Sequence, residues 1–518
     1  MTRSNVKRFL FSSVLAVASI SWVQAQAPTT LGLLPPQQQL AQHPASDFVV
    51  VYPGEYEGKE KAAVEKFIAD NKALEERGPI DIKALISGTL PKNTPGVGPT
   101  IPVTEEMIRY GNGLYDPDNP VLNDAAYAKT LGYENIIAYP TFAACDDAFW
   151  KAYPIRDIIL VSDLNHNITN YKPVYPGDTL YIIANSRHFR DVTPPEGSIY
   201  RSVAIDVEGS IYNQKGEKVQ DVIFRTTESL KFYKDESMAP KNPSFKDYWE
   251  APSWISRPPH DYTDKDWEFI KGVWAKEKRQ GATPLYWEDV KIGDEPAWTL
   301  DGPVLVPVSP LFPWGTGAGA SRTMRKEIMD PAIFKTMIRG EKDGVYRLPN
   351  QEDYIPTVPE FAFSLSAAVA QVGLGTVAAD NSKQIHKMTE GNRGVLINYM
   401  GRDYAIRHID NWMGDHGWLT NIRWSIMDTR AHAAFGKTGI PVNPQAEHYL
   451  DRVPKMKGKF VNIHGLTGDV AIVKSYVYDK YSRDGDHFVE LVWWVENIDG
   501  QIWEEGGATV KLPSRNAN

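Results

Sequence analysis

Two histidines and two aspartates lie close together in the sequence, at His408, Asp410, Asp415 and His416. The histidines are eight residues apart, a little over two helical turns, so both could lie on one helix face. Because these side chains can bind transition metals, a metal site is one interpretation. The stretch has no His-x-x-x-His pair, however, and we favour hydrogen bonding around Trp412. We therefore predict no metal ion and no cofactor.

A second pattern that could take part in binding or catalysis is the glycine-rich stretch from Gly315 to Gly319, which is followed by Arg322 and Arg325. One interpretation is a loop that binds a phosphate or carboxylate of a substrate through its backbone N–H groups. The stretch lacks the Lys-Ser/Thr ending of a P-loop, which favours the alternative of a plain flexible loop.

Strands and turns that could position such groups follow the same order in two parts of the chain. A Gly-Asp pair is followed by a strand, a second strand, an Asn-x-x-Gly turn and a third strand. The predicted strands are Thr179–Arg187, Tyr200–Tyr212 and Val222–Tyr233, then Val470–Tyr478, Phe488–Glu496 and Ala508–Leu512. This weak internal repeat, offset by roughly 290 residues, predicts two similar α+β units.

The N-terminus has the pattern of a secretory signal peptide. Arg3, Lys7 and Arg8 form a basic start, an apolar run extends over 9–23, and Ala25-Gln26-Ala27 offers a small-x-small cleavage site. A membrane anchor is the alternative, but the run is shorter than the roughly 20 apolar residues that a spanning helix needs. We predict cleavage and a periplasmic or secreted mature protein, with no membrane association afterwards.

The net charge and the cysteine content exclude several classes of partner and of site. Loss of residues 1–27 removes three basic and no acidic side chains, so the formal net charge falls from −9 to −12. An acidic chain of this kind argues against nucleic acid or an anionic membrane as a partner. The single cysteine, Cys145, excludes an internal disulfide and a cysteine-rich metal site.

Two stretches carry a family resemblance. Gly113 to Ala128 contains Asp-Pro-Asp-Asn-Pro, and it is followed by Ile-Ile-Ala-Tyr-Pro-Thr-Phe at 136–142 and Pro-Val-Tyr-Pro-Gly-Asp-Thr-Leu at 173–180. This order resembles the N-terminal MaoC-like dehydratase domain. The stretch from Tyr286 to Asp294, resumed at 411–417 and 507–513, is similar to a C-terminal MaoC-like half. The region from about 310 to 390 departs from that pattern.

The resemblance implies an α+β double hotdog, with two antiparallel sheets that each wrap a central helix. We expect helices near 124–129, 140–152 and 398–412. The expected divisions are a signal peptide (1–27), a tether with a surface helix (28–100), a first hotdog half (101–240), a linker (241–280), and a second hotdog half with a helical insertion (281–518).

The family's activity is hydration or dehydration, in which an Asp and a His of an Asp-x-Asn-Pro-x-His loop move the protons. In this chain Leu122 occupies the histidine position of the first half. Leucine cannot transfer a proton, so we predict that the first half is catalytically silent and helps to shape the pocket. Asp118, Asn119 and Tyr139 are the residues there that we expect to bind substrate.

The second half must then carry the chemistry. His386, six residues after Asp380, lies at about the family distance before the apolar stretch 394–401. We predict these two as the catalytic pair, although the loop has no Asn-Pro and a surface histidine is the alternative.

The predicted function is an exported lyase that adds or removes water at a double bond conjugated to a carbonyl. The predicted substrate is a small-molecule acyl or other carbonyl compound. Acyl-CoA thioesters are cytoplasmic, so either the substrate is not a CoA ester or the signal-peptide interpretation is wrong. The alternative is a non-catalytic binding protein for a hydrophobic carboxylate or sterol-like ligand. A homodimer is compatible with either.

Overall fold

The structure is a computed structural model. It describes residues 72–143 except 75, 158–191, 200–233, 257–304, 330–347, 399–425 and 449–516 except 462 and 464, with a few residues between 61 and 69. For some strand residues, among them 161–166, 186–191, 200–207 and 224–233, the description covers the backbone alone.

Ten strands form one antiparallel sheet, in the order β1-β3-β4-β5-β2-β9-β12-β11-β10-β6. A separate two-stranded hairpin pairs β7 with β8. The strands are β1 (Val97–Pro102), β2 (Ile158–Asn170), β3 (Thr179–Asp191), β4 (Tyr200–Tyr212), β5 (Lys218–Tyr233), β6 (Thr299–Asp301), β7 (Ile338–Arg339), β8 (Tyr346–Arg347), β9 (Trp418–Ser425), β10 (Ala471–Arg483), β11 (Asp486–Glu496) and β12 (Ile502–Leu512).

The two halves meet where β2 pairs with β9. Four residue pairs, from His166 with Trp424 to Thr169 with Asn421, place these strands side by side. We call this pairing the seam. The expected α+β architecture with antiparallel strands is present, but the prediction of two separate sheets is wrong, because the seam joins the strands of both halves into one sheet.

Besides helical residues between 61 and 76, seven α-helices are described in the part of the chain covered by the structure. They are α1 (Ile82–Ile86), α2 (Glu105–Tyr115), α3 (Pro120–Asn123), α4 (Ala125–Thr130), α5 (Asp264–Lys276), α6 (Pro331–Phe334) and α7 (Tyr399–Met413). Side-chain caps begin several of them: Thr104 accepts a hydrogen bond from the Met107 N–H, Asp124 from the N–H groups at the start of α4, and Thr263 from the Asp266 N–H.

Helix α7 has the position of a central helix, packed against β9, β10, β11 and β12. Every residue from Gly401 to Asn411 is buried. Helices expected near 124–129 and 398–412 are present as α4 and α7, whereas most of the expected helix 140–152 lies outside the described residues. Within the expected helical insertion, residues 330–347 form the short α6 and the β7–β8 hairpin.

A continuous apolar core runs through the seam. Ile168 and Val222 of the first half belong to the same buried cluster as Ile406, Ile409 and Trp424 of the second. Burial of this shared cluster stabilises both halves together, at roughly 25 cal/mol for each Å² of apolar surface removed from water. Within the described ranges, no helix is both long enough and apolar enough to span a bilayer.

Candidate functional site

Helix α7 carries charged side chains into the interior, so its charges need partners there. Arg407 lies 2.7 Å from an Asp301 carboxylate oxygen and 3.2 Å from one of Glu277. His408 lies between two hydroxyls, with Nε2 2.8 Å from Ser475 Oγ and Nδ1 3.3 Å from Thr299 Oγ1. Burial, assisted by Arg407, lowers the pKa of His408 to about 3, so the ring is neutral at physiological pH.

Helix α7 also carries two buried carboxyl groups that interact with groups of the first half. Asp403 and Asp410 are seven residues apart, which places them on one helix face about 10 Å from each other along the axis. Asp403 accepts a hydrogen bond of 2.8 Å from Arg402 Nε, but its Oδ2 has no partner in hydrogen-bond geometry. Burial raises the pKa of Asp403 to about 6.

Asp410 is the more isolated of the two. It is buried, and its Oδ1 has no hydrogen-bond partner among the described residues. Burial, followed by the negative charge of Asp116, raises the pKa of Asp410 well above the usual range of an aspartate. This carboxyl therefore keeps its proton to a higher pH than an exposed aspartate does.

Asp116 belongs to the first half, in the loop and short helix that span 116–123, here called the motif loop. Its Oδ2 accepts a hydrogen bond of 3.0 Å from Asn119 Nδ2. Burial raises its pKa to about 6, against the opposing effect of the Arg279 guanidinium. Two protonatable carboxyls, one from each half, thus influence each other across the interface.

Arg279 ties the motif loop to the end of α7. Its Nη2 donates to Asn119 Oδ1 at 2.8 Å and also to the Asp415 carboxylate. The hydroxyl of Tyr127 donates to the same carboxylate. Because Gly414 has a φ of +71°, which favours glycine, the chain leaves α7 in a tight turn that brings Asp415 back to this point.

A cleft that is open to solvent lies between the motif loop and the C-terminal end of α7. Both halves line it, with mostly apolar and aromatic walls and a few polar groups. The lining residues are Asn119, Val121, Leu122, Tyr133, Ile137, Ala138, Tyr139, Pro140, Asn170, Lys172, Pro173, Val174, Gln220, Asp410, Met413, Gly414, Asp415, Gly417, Trp418 and Leu419. Such a composition is typical of a small-molecule site.

Of the three residues expected to bind substrate, two line the cleft and one does not. Asn119 and Tyr139 line the cleft, and Leu122 forms part of its wall. Tyr139 is stacked on Tyr115, with ring centroids 4.6 Å apart, and its hydroxyl donates to the Asp403 carbonyl oxygen at 2.7 Å. Asp118 is exposed and does not line the cleft. Substrate binding by these residues stays a prediction.

The expected catalytic pair, His386 and Asp380, lies outside the described residues, as do the glycine-rich loop 315–319 and Cys145. His408 and His416 do not share a partner: the first is buried, whereas the second is exposed and 3.2 Å from the Ala282 carbonyl oxygen. The polar network of this region surrounds His408 and not Trp412, which is only half-buried.

Sequence reasoning missed Asp403, Arg279 and Gln220, and it considered Asp410 only as a metal ligand or as part of a hydrogen-bond network around Trp412. A usable signal was present for the two aspartates, since their spacing of seven places both on one face of the same helix. Arg279 lies shortly before the recognised stretch from Tyr286 to Asp294, but nothing in the sequence around it indicates a partner in the first half.

Comparison with known proteins places the chain in a family. It is 30% identical over 134 residues to the UPF0336 protein of Streptomyces avermitilis, a match that covers 24% of this chain and 84% of the relative. The chain belongs to the family of that protein. No family model matches the chain.

Solved structures to which the chain is similar include a putative MaoC domain protein dehydratase from Chloroflexus aurantiacus J-10-fl. It is 12% identical, with a TM-score of 0.41, over 81% of this chain and 95% of the other. A Mycobacterium tuberculosis protein described as a double hotdog is 9% identical, with a TM-score of 0.38, over 82% and 97%. The first of these is named as a MaoC protein and the second as a double hotdog, the terms that the resemblance in the sequence also uses. At such identities and TM-scores, the reaction and substrate must be inferred from this chain's own residues.

Proposed function

We propose that the protein is a hydratase or dehydratase that works at the cleft between the two halves. The observation that carries this proposal is Asp410, a buried carboxyl that lines the cleft, has an unpartnered oxygen and holds its proton to unusually high pH. A carboxyl kept protonated by burial is the kind of group that acts as a general acid.

The proposed reaction adds or removes water at a double bond conjugated to a carbonyl. In the dehydration direction, the acid protonates the leaving hydroxyl, the C–O bond breaks, and a base takes the proton from the α-carbon as the double bond forms. We assign the acid to Asp410. The base is proposed to be His386, assisted by Asp380, as the sequence indicates.

The substrate is proposed to be a small acyl or other carbonyl compound with an apolar body. Leu122, Ile137 and Leu419 give the cleft apolar walls, which suit an acyl chain or ring system. The position of Leu122 supports the proposal that the first half shapes the pocket and moves no proton. Two halves that complete one cleft do not need a second copy of the chain, although a homodimer remains compatible with this arrangement.

The test is the hydration of a panel of α,β-unsaturated acyl compounds, followed by loss of the absorbance of the conjugated double bond. Asp410→Asn should lower kcat by roughly 10²–10⁴, the usual contribution of a general acid. His386→Ala should give a loss of similar size. His416→Ala is the matched control, since this histidine is exposed and outside the cleft, and it should retain wild-type turnover. Full activity in Asp410→Asn would remove that residue from the mechanism.

We also propose that the mature protein is periplasmic or secreted and begins just after Ala25-Gln26-Ala27. The basic start, the apolar run and the small-residue ending of residues 1–27 support this. N-terminal sequencing of the protein from the envelope or culture fraction should find the shortened chain. An intact Met1 on cytoplasmic protein would contradict export and would restore CoA esters as substrates.

A second candidate function is a non-catalytic binding protein for an apolar ligand. It is favoured by the residues that line the cleft, which include no histidine among those that the structure describes. Absence of turnover on the whole panel, combined with tight binding of an apolar ligand, would support this candidate over the hydratase.

A further inference from the structure

The linker between the two halves is bound to the end of α7 through its backbone. The Gln280 N–H donates to the Asn411 carbonyl oxygen at 2.7 Å, and the Asp415 N–H donates to the Gly281 carbonyl oxygen at 3.0 Å. Arg279 directly precedes these contacts in the chain. Its backbone is therefore fixed relative to α7 and the second half.

The side chain of Arg279 extends from this position to the first half. Nη2 donates to Asn119 Oδ1 at 2.8 Å, and Nη1 lies 3.9 Å from Asp116 Oδ2. The same guanidinium forms a salt bridge with Asp415. Because the donors of a guanidinium are held in a planar fork, one arginine can bind several acceptors at once. A single side chain thus joins the linker, the motif loop and the segment that follows α7.

Two partners of Arg279 line the cleft, one from each half, whereas Arg279 itself does not. Asn119 Oδ1 also accepts from the Val121 N–H at 3.1 Å, at the start of α3. The side chain of Asp415 is only 1% exposed, and it accepts a second hydrogen bond from the Tyr127 hydroxyl. A buried carboxylate that loses its cation is strongly destabilised. The positions of both wall residues therefore depend on the arginine.

We propose that Arg279 is a positioning residue of the cleft, which holds the motif loop against the end of α7, and that ligand affinity depends on it although it does not line the cleft. This inference rests on the proposed function in taking the cleft as the ligand site. It gives the linker a role in ligand binding besides the connection of the two halves.

Binding of S-hexanoyl-N-acetylcysteamine to the full mature chain tests the inference, since this thioester has an apolar acyl chain and no double bond to hydrate. In calorimetry, Arg279→Met should bind it about tenfold more weakly, the equivalent of one charge-assisted hydrogen bond. Arg257→Met is the matched control. Arg257 is also in the linker and pairs with the buried Asp469, and neither of these two residues lines the cleft. Both variants should melt at a lower temperature, but only Arg279→Met should lose affinity.

Arg279→Lys is the conservative variant. It keeps a positive charge beside Asp415 but lacks the fork that binds several partners, so it should regain part of the lost affinity. Amide hydrogen exchange gives a reading that needs no ligand. The motif-loop amides, which include those of Val121 and Leu122, should exchange about tenfold faster in Arg279→Met and at the wild-type rate in Arg257→Met.

If the enoyl form of the thioester is hydrated, the defect of Arg279→Met should be found in KM, with kcat changed much less. The reason is that Asp410 is part of α7, which stays packed against β9, β10, β11 and β12. The inference would be overturned by unchanged affinity or unchanged motif-loop exchange in Arg279→Met, or by an equal loss of affinity in Arg257→Met. It would also be overturned by a wild type that does not bind the thioester, or by a lysine variant that binds no better than the methionine variant.

The same measurements separate this inference from the proposed function. A chain whose binding of the thioester depends on Arg279 but which hydrates nothing would keep the inference and lose the proposed function. One that hydrates the enoyl form with the same KM in both methionine variants and the wild type would do the reverse.

Discussion

Replacement of Asp403 by asparagine should flatten the pH dependence of the protein's stability. In the folded chain, burial raises the pKa of this carboxyl from 3.8 to about 6. An acid whose pKa is raised by folding stabilises the folded state while it is protonated. This stabilisation is complete below the pKa of the unfolded chain, and it is lost as the pH rises through the pKa of the folded chain. Asparagine keeps an oxygen that can accept from Arg402 Nε, but it cannot ionise.

The size of the effect follows from the two pKa values. With 3.8 in the unfolded chain and about 6 in the folded chain, the free energy of unfolding falls by roughly 1.4 kcal/mol between about pH 5 and about pH 7.5. Asp116, Asp410 and Glu504 have pKa values raised in the same direction, so the wild type should lose more than this amount in total. The variant should lack the share of Asp403, together with the smaller part of the Glu504 share that the Asp403 charge contributes.

Urea unfolding followed by tryptophan fluorescence at the two pH values measures this share. The change in the free energy of unfolding between them should be smaller in Asp403→Asn than in the wild type by roughly 1.4 kcal/mol. Asp261→Asn, which removes an exposed carboxyl for the same change in net charge, is the control and should keep the wild-type change. If Asp403→Asn shows the wild-type pH dependence, the carboxyl does not titrate as its burial predicts.

Two further substitutions test the packing around α7 by the same unfolding measurement. Gly401→Ala should lower the free energy of unfolding by roughly 2–3 kcal/mol, because the added methyl group would collide with the Glu504 carboxylate that binds the Arg402 N–H. Gly272→Ala is the control at a helical glycine with open space around it, and it should be neutral or stabilise the protein by about 0.5–1 kcal/mol. Arg407→Met should cost roughly 3–5 kcal/mol, since it leaves two buried carboxylates without their cation. A cost below about 1 kcal/mol would show that those carboxylates find another partner or take up protons.

The sequence predicted the strands that carry regular patterns. The prediction Tyr200–Tyr212 matches β4, and Phe488–Glu496 lies within β11, since both segments combine β-branched and aromatic residues with clear turns beside them. The two strands of the seam were not predicted. The buried Asn421 donates a hydrogen bond to the buried Asn167 across the strands, and these polar side chains break the expected apolar pattern.

The candidate site was only partly predictable, because some of its properties depend on contacts between residues that are distant in the sequence. The motif loop, with Asn119 and Leu122, could be recognised because its residues are adjacent in the sequence. The properties of Asp410 depend instead on burial and on Asp116, almost three hundred residues away in the chain. A pKa raised by tertiary packing leaves no local pattern for sequence reasoning to detect.

Strand β2 cannot complete its hydrogen bonding until β9 has left the ribosome, more than 250 residues later. Throughout that interval one side of β2 presents unpaired N–H and C=O groups, which are a template for any other extended chain. Contacts so distant in sequence form late, after a large loss of chain entropy. The first half is thus not a self-sufficient module with an accessory attached. The edge of its sheet stays unpaired until the C-terminal half of the chain covers it. Truncation after the first half would therefore leave an unpaired strand edge that is prone to aggregation, and not a small soluble domain.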